Sequence, residues 1–183
     1  GIRTAAGAFF DIKVIGKGGH GAFPQFAIDP ITIAAEIIGA IQTIISRTTS
    51  PNDSAVLSIT KVHAGDAYNV IPESAMLSGT VRTFAIDKMQ EIERQMISMS
   101  EGISKAHGGA AVVEFNTLFL PVLNDEEATD IATEVCKDMV GQDNLITTGS
   151  AGTGSEDFSF MSNEIPGCYV IIGNGEDSNA LHN

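Results

Sequence analysis

Residues 9–34 read FFDIKVIGKGGHGAFPQFAIDPITIA, and this stretch decides the fold of the chain. Apolar residues at every second position over 10–14 predict a strand with one buried face. A glycine-rich turn follows at 16–21. A helix then begins at Asp29-Pro30, because the Asp side chain can cap the first amides and Pro fits the first helical position. The stretch therefore predicts a strand and a helix that are joined by a glycine-rich loop.

The helix that begins at Pro30 has an amphipathic pattern. Apolar residues recur every three or four positions, as they do on one face of an α-helix. A turn cluster at 50–53 marks the end of the helical segment. The predicted apolar face consists of Ile31, Ala34, Ile38, Ile41 and Ile45.

The next hundred residues complete one small domain. Strands are predicted at 54–63, 75–84 and 111–115. A second helix is predicted to begin with Asp87 as its cap and Gln90 three residues later, in the manner of a capping box. The resulting order, β-α-β-β-α-β, is typical of a ferredoxin-like α+β domain with an antiparallel sheet and both helices on one face. Such a sheet leaves an open edge, which favours dimerisation through this domain.

Residues after Pro121 have a different character. The chain has a net charge of −13. Residues 1–118 carry nine basic and eleven acidic side chains, a net of −2, whereas residues 119–183 carry one and twelve, a net of −11. The two parts are therefore expected to be different structural units. An acidic chain repels phosphate backbones, so no nucleic-acid partner is expected.

The acidic part is expected to belong to an α/β domain that is incomplete. Its first helix should begin at Asp125, and another helix should begin at about Ser155 after the glycine-rich loop 149–154. The apolar run 168–172 fits a strand that is buried on both faces. One such strand cannot form a sheet alone, so its neighbours must come from elsewhere. The helix residues predicted to face inward are Ala128, Ile131, Val135 and Met139.

The start of the chain and its hydropathy indicate whether it carries a signal sequence or spans a membrane. The chain begins Gly1-Ile2-Arg3 without an initiator Met or an apolar signal core, which indicates an interior part of a longer chain or a processed product. No run approaches the roughly 20 apolar residues that span a bilayer, so no membrane partner is expected.

Side chains with reactive potential give weaker signals. Cys136 and Cys168 lack the spacing of a metal knuckle or a disulfide framework, so we expect free thiols in a reducing cytoplasm. Ser150 and Ser155 lie among glycines, but neither fits the G-x-S-x-G pattern of a serine hydrolase.

The glycine turn also matches G-x-G-x-x-G between Gly16 and Gly21. A dinucleotide site needs a helix that begins inside this motif, so that its amides point at the pyrophosphate. Here Pro24 intervenes and the helix begins only at Asp29. The glycines are more simply interpreted as allowing a tight bend that presents His20.

Four polar residues are candidates for function, each with a structural alternative. His20 lies in a loop among glycines, where an exposed functional ring and a merely solvated one are both open. Asn69 could satisfy its own turn or bind a ligand. Arg82 could be a solvated strand residue, or its guanidinium could hold a planar carboxylate. His182, next to last in the chain, could bind a metal ion, although a lone histidine near a terminus usually has no function.

Seven short phrases occur in a fixed order along the chain. They are GKGGHGA at 16–22, AIDP at 27–30, DSAV at 53–56, HAGDAYNVIP at 63–72, GTVRTF at 79–84, GSEDF at 154–158 and LHN at 181–183. Together they resemble the amidohydrolase and carboxypeptidase family of two-metal peptidases, and the resemblance covers nearly the whole chain. That family includes hippurate hydrolase, indoleacetyl-amino-acid hydrolases and N-acetyldiaminopimelate deacetylase.

The resemblance implies a role for each candidate. His20 matches a histidine that polarises the scissile carbonyl in the partner subunit's active site. Asn69 and Arg82 match residues that hold the substrate's carboxylate, and Gly154 lies close to substrate. His182 matches the last histidine ligand of a centre with two divalent ions, which could be zinc, manganese or cobalt. The expected substrate is an N-acyl amino acid or a small peptide-like amide, and the expected assembly is a homodimer.

The resemblance also implies a domain division. Residues 1–7 should be a linker, 8–118 the lid or dimerisation domain, and 119–183 part of the catalytic domain. The chain departs from the family pattern at Gln25, where a His is common, and at Thr153, where a Met is usual.

The family's catalytic half supplies a Cys, further His and acidic ligands and a Glu base, and these precede the lid. Because this chain contains none of that half, we expect the chain alone to be inactive. The alternative is a stand-alone ferredoxin-like module that dimerises or binds a small carboxylate without catalysis.

Overall fold

The computed structural model describes residues 1–173. Its strands are β1 (Ile2–Thr4), β2 (Ala6–Ile15), β3 (Gly19–His20), β4 (Ala55–His63), β5 (Val70–Ile71), β6 (Ser74–Thr83), β7 (Ala110–Phe119) and β8 (Val122–Leu123). Its α-helices are α1 (Pro30–Thr43), α2 (Ile86–Ala106), α3 (Glu126–Val140) and α4 (Phe158–Glu164). The predicted His182 lies outside the described residues.

The main sheet has four strands in the order β4-β6-β2-β7, and every neighbouring pair is antiparallel. Helices α1 and α2 connect the strands and pack together on one face. The α+β class and the ferredoxin-like arrangement are confirmed. The fourth strand, β7, is longer than predicted and reaches Phe119.

The core lies between this sheet and the two helices. The alternation in β2 is confirmed, because Phe10, Ile12 and Val14 are all buried while their neighbours along the strand are exposed. Each such side chain contributes about 1.5–3 kcal/mol when it is removed from water. Helix α1 faces this layer, and its buried residues are Pro30, Ile33, Ala34, Ile37 and Ile41.

The predicted apolar face of α1 is therefore partly wrong. Ile31 is 45% exposed, whereas Ile33 and Ile37 are fully buried. The helix has isoleucines on several sides, so spacing alone does not identify the side that meets the sheet. The predicted cap is confirmed, because the Asp29 carboxylate accepts a hydrogen bond from the Ile31 amide at 2.9 Å.

Helix α2 begins at Ile86, one residue before Asp87, which was predicted to be its N-cap. Ala85 is the N-cap and makes no side-chain hydrogen bond, and Ile86 is the first helical residue. Asp87 thus lies inside the first turn, where its carboxylate accepts from the Lys88 amide at 2.8 Å. The predicted capping box is wrong, because the helix begins soon after β6 ends at Thr83. Asp87 is therefore a helical residue and not the N-cap.

Helix α1 continues as a π-helical turn, Ile44–Thr48. Together they form a 19-residue segment whose length and mean hydropathy of 1.2 would permit a membrane span. The segment is not an uninterrupted apolar run, because Glu36, Gln42 and Arg47 lie within it. The helix nevertheless packs Ile33, Ile37 and Ile41 into the core, which explains its apolar composition.

The segment after β8 has regular helices but little burial. The predicted start of α3 is confirmed, and Asp125 is its N-cap, with a carboxylate that accepts from the Ala128 amide at 2.9 Å. The predicted inward face is wrong, since Ile131, Val135 and Met139 are 52–77% exposed. No described residue covers that face, so the helix has no layer to pack against.

The apolar run 168–172 is not a strand. Val170, Ile171 and Ile172 are between 48% and 89% exposed. A strand needs a paired neighbour to satisfy its backbone, and residues 1–173 provide none for this run. The predicted buried strand is wrong for the described chain. Cys168, at the start of the run, is a half-buried free thiol, as is Cys136.

Gly79 marks the closest packing within the sheet. It lies on β6 opposite Phe10, and an added Cβ would overlap the Phe10 ring and the Ser58 carbonyl. We expect Gly79→Ala to lower the free energy of unfolding by about 1–3 kcal/mol through overpacking. Denaturant unfolding of the full-length protein would measure this change.

The matched control is Gly102 on the exposed side of α2, where an added Cβ meets nothing within 4 Å. Gly102→Ala is expected to raise the free energy of unfolding by roughly 0.5–1 kcal/mol, because Ala loses less backbone entropy in a helix. Equal stability of the two variants would show that Gly79 has room for a side chain.

Candidate functional site

His20 and Asn69 lie side by side on a small two-stranded ribbon. Strand β3 pairs antiparallel with β5, and His20 is opposite Val70. The Gly21 amide donates to the Asn69 carbonyl at 2.8 Å, which extends the ribbon beyond both strands. Both His20 and Asn69 are exposed. The structure therefore brings together two of the predicted site residues.

The loop that carries His20 is closed at its base. Lys17 and Ile28 exchange two backbone hydrogen bonds, of 2.8 and 3.0 Å. A Cβ on Gly16 would overlap the Ile28 carbonyl, so close approach is the reason for that glycine. Gly16 and Gly21 do not have positive φ. The interpretation that these glycines permit a tight bend is wrong for Gly16, which instead makes room for the opposite strand of the loop.

The local hydrogen bonds fix the imidazole of His20. Its Nδ1 accepts from the Ala22 amide at 3.1 Å. In a neutral imidazole one nitrogen accepts and the other carries the proton, so this bond assigns the proton to Nε2. The Phe23 amide donates to the His20 carbonyl at 2.8 Å and closes the turn. Nε2–H is thus available to donate to a carbonyl oxygen.

Arg82 lies on β6, opposite Gly7 of β2 and Val56 of β4. Its guanidinium is half-buried, and this desolvation lowers the pKa of Arg82, although arginine keeps its charge in proteins. The guanidinium carbon is 5.8 Å from the centre of the Phe9 ring. The site is thus more enclosed than that of a solvated strand residue.

Within residues 1–173, the hydrogen bonds of Arg82 all come from Nη1. This nitrogen donates to the Val81 carbonyl at 3.0 Å, to the Ala8 carbonyl at 3.5 Å and to the Thr80 hydroxyl. These bonds hold the plane of the guanidinium and leave its other donors for a ligand. Thr80 was not predicted as a site residue, although it lies two residues from Arg82 on the same side of the strand.

The glycine-rich loop of the acidic part contacts the sheet near Arg82. The Ala5 amide donates to the carbonyls of Gly152 and Gly154, at 3.1 and 3.0 Å. Among residues 1–173 the buried Ser155 hydroxyl has no hydrogen-bond partner, and it packs against Gly7, where an added Cβ would overlap it. Gly154 therefore lies at the Arg82 end of β2.

The site residues form two groups at opposite ends of one strand. Gly7 pairs with Arg82, and Ile15 pairs with Ser74 just before the loop that carries His20. Eight residues of extended strand span roughly 26 Å at about 3.3 Å per residue. A single small substrate cannot contact both His20 and Arg82 of one chain.

The described residues do not fit a metal centre. No group of three or more His, Cys, Asp or Glu side chains within residues 1–173 is arranged to hold an ion. The predicted ligand His182 lies outside this range. An open groove of about 430 Å³ does lie beside His20, and Gly18, Ile71 and Glu73 help to line it.

A comparison with known proteins decides the family. Residues 4–108 match the family described as the M20 peptidase dimerisation domain. The chain belongs to that family. The sequence resemblance to M20 amidohydrolases is thereby confirmed. The resemblance to M20 hydrolases and metallopeptidases also supports the prediction that the chain is part of a hydrolase.

Relatives extend the likeness beyond the dimerisation domain. The chain is 34% identical to hippurate hydrolase of Campylobacter jejuni over 183 residues, all of this chain and 48% of the relative. It is 37% identical to N-acetyldiaminopimelate deacetylase of Geobacillus sp. over 165 residues, 90% of this chain and 43% of the relative. The chain thus spans less than half the length of these relatives.

A solved structure shows the same fold. The Bacillus subtilis YXEP protein, described as a dinuclear metal-binding peptidase from the M20 family, matches with a TM-score of 0.70 and 31% identity. The match covers 91% of this M20 chain and 40% of that protein. The division into 1–7, 8–118 and 119–183 and the roles of the five predicted site residues remain predictions.

Proposed function

We propose that this M20 chain is the dimerisation domain and part of the catalytic domain of an amidohydrolase that cleaves N-acyl amino acids or small peptide-like amides. The names of its relatives support the substrate class. The observation that carries the proposal is the separation of His20 from Arg82 along β2. This separation favours a homodimer in which each substrate contacts residues of both subunits.

In this proposal Arg82 acts within its own subunit. It lies beside the loop 152–155, which belongs to the catalytic part of the same chain. The free donors of its guanidinium suit the two oxygens of a carboxylate. Arg82 and the backbone near Gly154 would hold the carboxylate of the amino acid and so fix the position of the amide bond.

His20 acts in the partner subunit. Its Nε2–H would donate a hydrogen bond to the carbonyl oxygen of the scissile amide as negative charge develops there. Asn69 lies on the same ribbon. We therefore assign Asn69 to the partner's site, beside His20. This assignment departs from the expectation that Asn69 holds the substrate's carboxylate together with Arg82 of its own chain.

The edges of the sheet supply a surface for the homodimer. Strand β4 is an edge strand, and Val56 and Val62 on it are 43% and 60% exposed. An unpaired edge with apolar side chains is normally covered or paired. The description of the family as a dimerisation domain supports pairing with a second copy.

Two divalent ions are part of the proposed full-length enzyme. YXEP is described as binding a dinuclear metal centre. Because residues 1–173 do not fit such a centre, the ions would be held by other parts of the enzyme, with His182 as one ligand. Residues 1–183 alone are therefore predicted to be inactive. Action in the cytoplasm, without nucleic-acid or membrane partners, is likewise a prediction.

Mixed dimers of the full-length enzyme test the shared site. Purified heterodimers of a His20→Ala subunit with an Arg82→Ala subunit would contain one site with both native residues and one with neither. We expect about half of the wild-type activity from this heterodimer, although each parent homodimer has little. Hydrolysis of an N-acyl amino acid, followed by amine release, measures it.

The reciprocal heterodimer is the matched control. It combines a wild-type subunit with a His20→Ala/Arg82→Ala double variant, so each shared site carries one defect. We expect low activity. High activity here together with low activity in the first heterodimer would show that both residues act within one subunit. A wild-type enzyme without amidase activity would instead favour a module that binds a carboxylate without catalysis.

A further inference from the structure

We infer that Phe23 is a specificity-determining residue that contacts the acyl group of the substrate and favours large apolar acyl groups. The inference rests on the proposed function, because it uses the placement of His20 at the scissile carbonyl. It concerns a side chain that sequence patterns did not single out, although Phe23 is only three residues from His20.

The turn 20–23 fixes Phe23 beside the imidazole. The Phe23 amide donates to the His20 carbonyl at 2.8 Å, and the Ala22 amide donates to Nδ1 of the ring. The centroids of the two rings are 5.5 Å apart, with an angle of 56° between their planes. This is the tilted arrangement that aromatic pairs favour. The two rings therefore form one contiguous surface on the turn.

Phe23 is also open to a ligand. Its side chain is 54% exposed, although phenylalanine is among the residue types most often buried. The next residue is Pro24, which begins a short 3₁₀ turn, Pro24–Phe26, and restricts the backbone after Phe23. The ring is thus presented to solvent on a constrained turn, so that binding costs little conformational entropy.

The chemistry of an amide decides which part of the substrate meets Phe23. The carbonyl carbon bears the oxygen, the nitrogen of the amino acid and the acyl chain. In the proposed site the oxygen accepts from Nε2 of His20, and the amino acid extends to Arg82 of the other subunit. The acyl chain is the remaining substituent, and we place it against Phe23 because the exposed Phe23 ring contacts the imidazole.

The test compares two substrates of full-length enzyme, an N-acetyl and an N-benzoyl derivative of one amino acid. Phe23→Ala is expected to lower kcat/KM for the benzoyl substrate roughly tenfold more than for the acetyl substrate, because an aromatic contact is lost. Phe23→Leu keeps an apolar side chain and should lose less of this preference.

The matched control is Phe26→Ala, since Phe26 is 70% exposed on the same turn but does not contact His20 in this way. Its ratio of the two kcat/KM values should equal that of the wild type. The inference would be overturned if Phe23→Ala lowered kcat/KM equally for both substrates. It would also be overturned if Phe26→Ala changed the ratio of the two kcat/KM values as much as Phe23→Ala does. Neither result affects the proposed function, which is tested by the wild type and by the heterodimers of His20 and Arg82 variants.

Discussion

Replacing His20 by Ala in the full-length enzyme is expected to lower kcat roughly 10²–10³-fold and to change KM only a few-fold. A hydrogen-bond donor aimed at a developing oxyanion stabilises the transition state more than the bound substrate, and removal of one such donor has this magnitude. Steady-state hydrolysis of an N-acyl amino acid under saturating and limiting substrate measures both constants.

His107→Ala is the matched histidine control. His107 follows α2, and its Nε2 lies 2.7 Å from a Glu36 carboxylate oxygen in an exposed pair. Exposed pairs of this kind contribute little to stability. The control should retain the kcat of the wild type. If both histidine variants lost the same activity, the effect would be structural and the catalytic role of His20 would be rejected.

Replacing Arg82 by Ala is expected to raise KM roughly ten- to a hundredfold for substrates that carry a free carboxylate. A hydrogen bond to a charged group is worth about 1.5–3 kcal/mol, which corresponds to this range. Arg82→Lys should recover only part of the loss, because lysine lacks the planar pair of donors. The same N-acyl amino acid with its carboxylate converted to an amide should be nearly insensitive to either change.

Arg94→Ala provides the control for lost positive charge. Arg94 is exposed on α2. We expect wild-type KM from this variant. Equal effects of Arg82→Ala on the carboxylate and on the amide substrate would mean that Arg82 supports the fold rather than the carboxylate.

Most of the dimerisation domain could be predicted from local sequence. The alternation of Phe10, Ile12 and Val14 determines which face of β2 is buried, because a strand has only two faces. The face of α1 could not be predicted in the same way. Ile31 and Ile33 are equally apolar, and only the position of the sheet leaves Ile31 exposed and Ile33 buried. A helix has a continuous range of orientations, so tertiary packing decides among them.

The acidic part was harder to predict for another reason. An apolar pattern such as that of α3 specifies which residues need a neighbour, but it does not supply the neighbour. Val135 and Met139 are consequently exposed in the described chain, and the run 168–172 does not form a strand. A buried strand or helix face that needs a sheet formed by other residues cannot form from this stretch alone.

For the site, residue types were easier to predict than their arrangement. His20 stands out because small residues surround it, and Arg82 because it interrupts a half-buried strand. Their separation could not be seen before the register of β2 with β6 was known. The pairing of His20 with Asn69 likewise depends on the ribbon of β3 and β5, which is too short to give a periodic signal.

The length of β2 has a consequence for evolution and engineering. This strand is a rigid spacer, because both of its sides are hydrogen-bonded, to β6 and to β7. Surface loops of the enzyme can gain or lose residues at small cost. An insertion of two residues in β2 would preserve its inward and outward faces, yet it would lengthen the spacer by about 7 Å. Homologous enzymes in which His20 and Arg82 act in the sites of different subunits should therefore keep the number of residues in β2 constant.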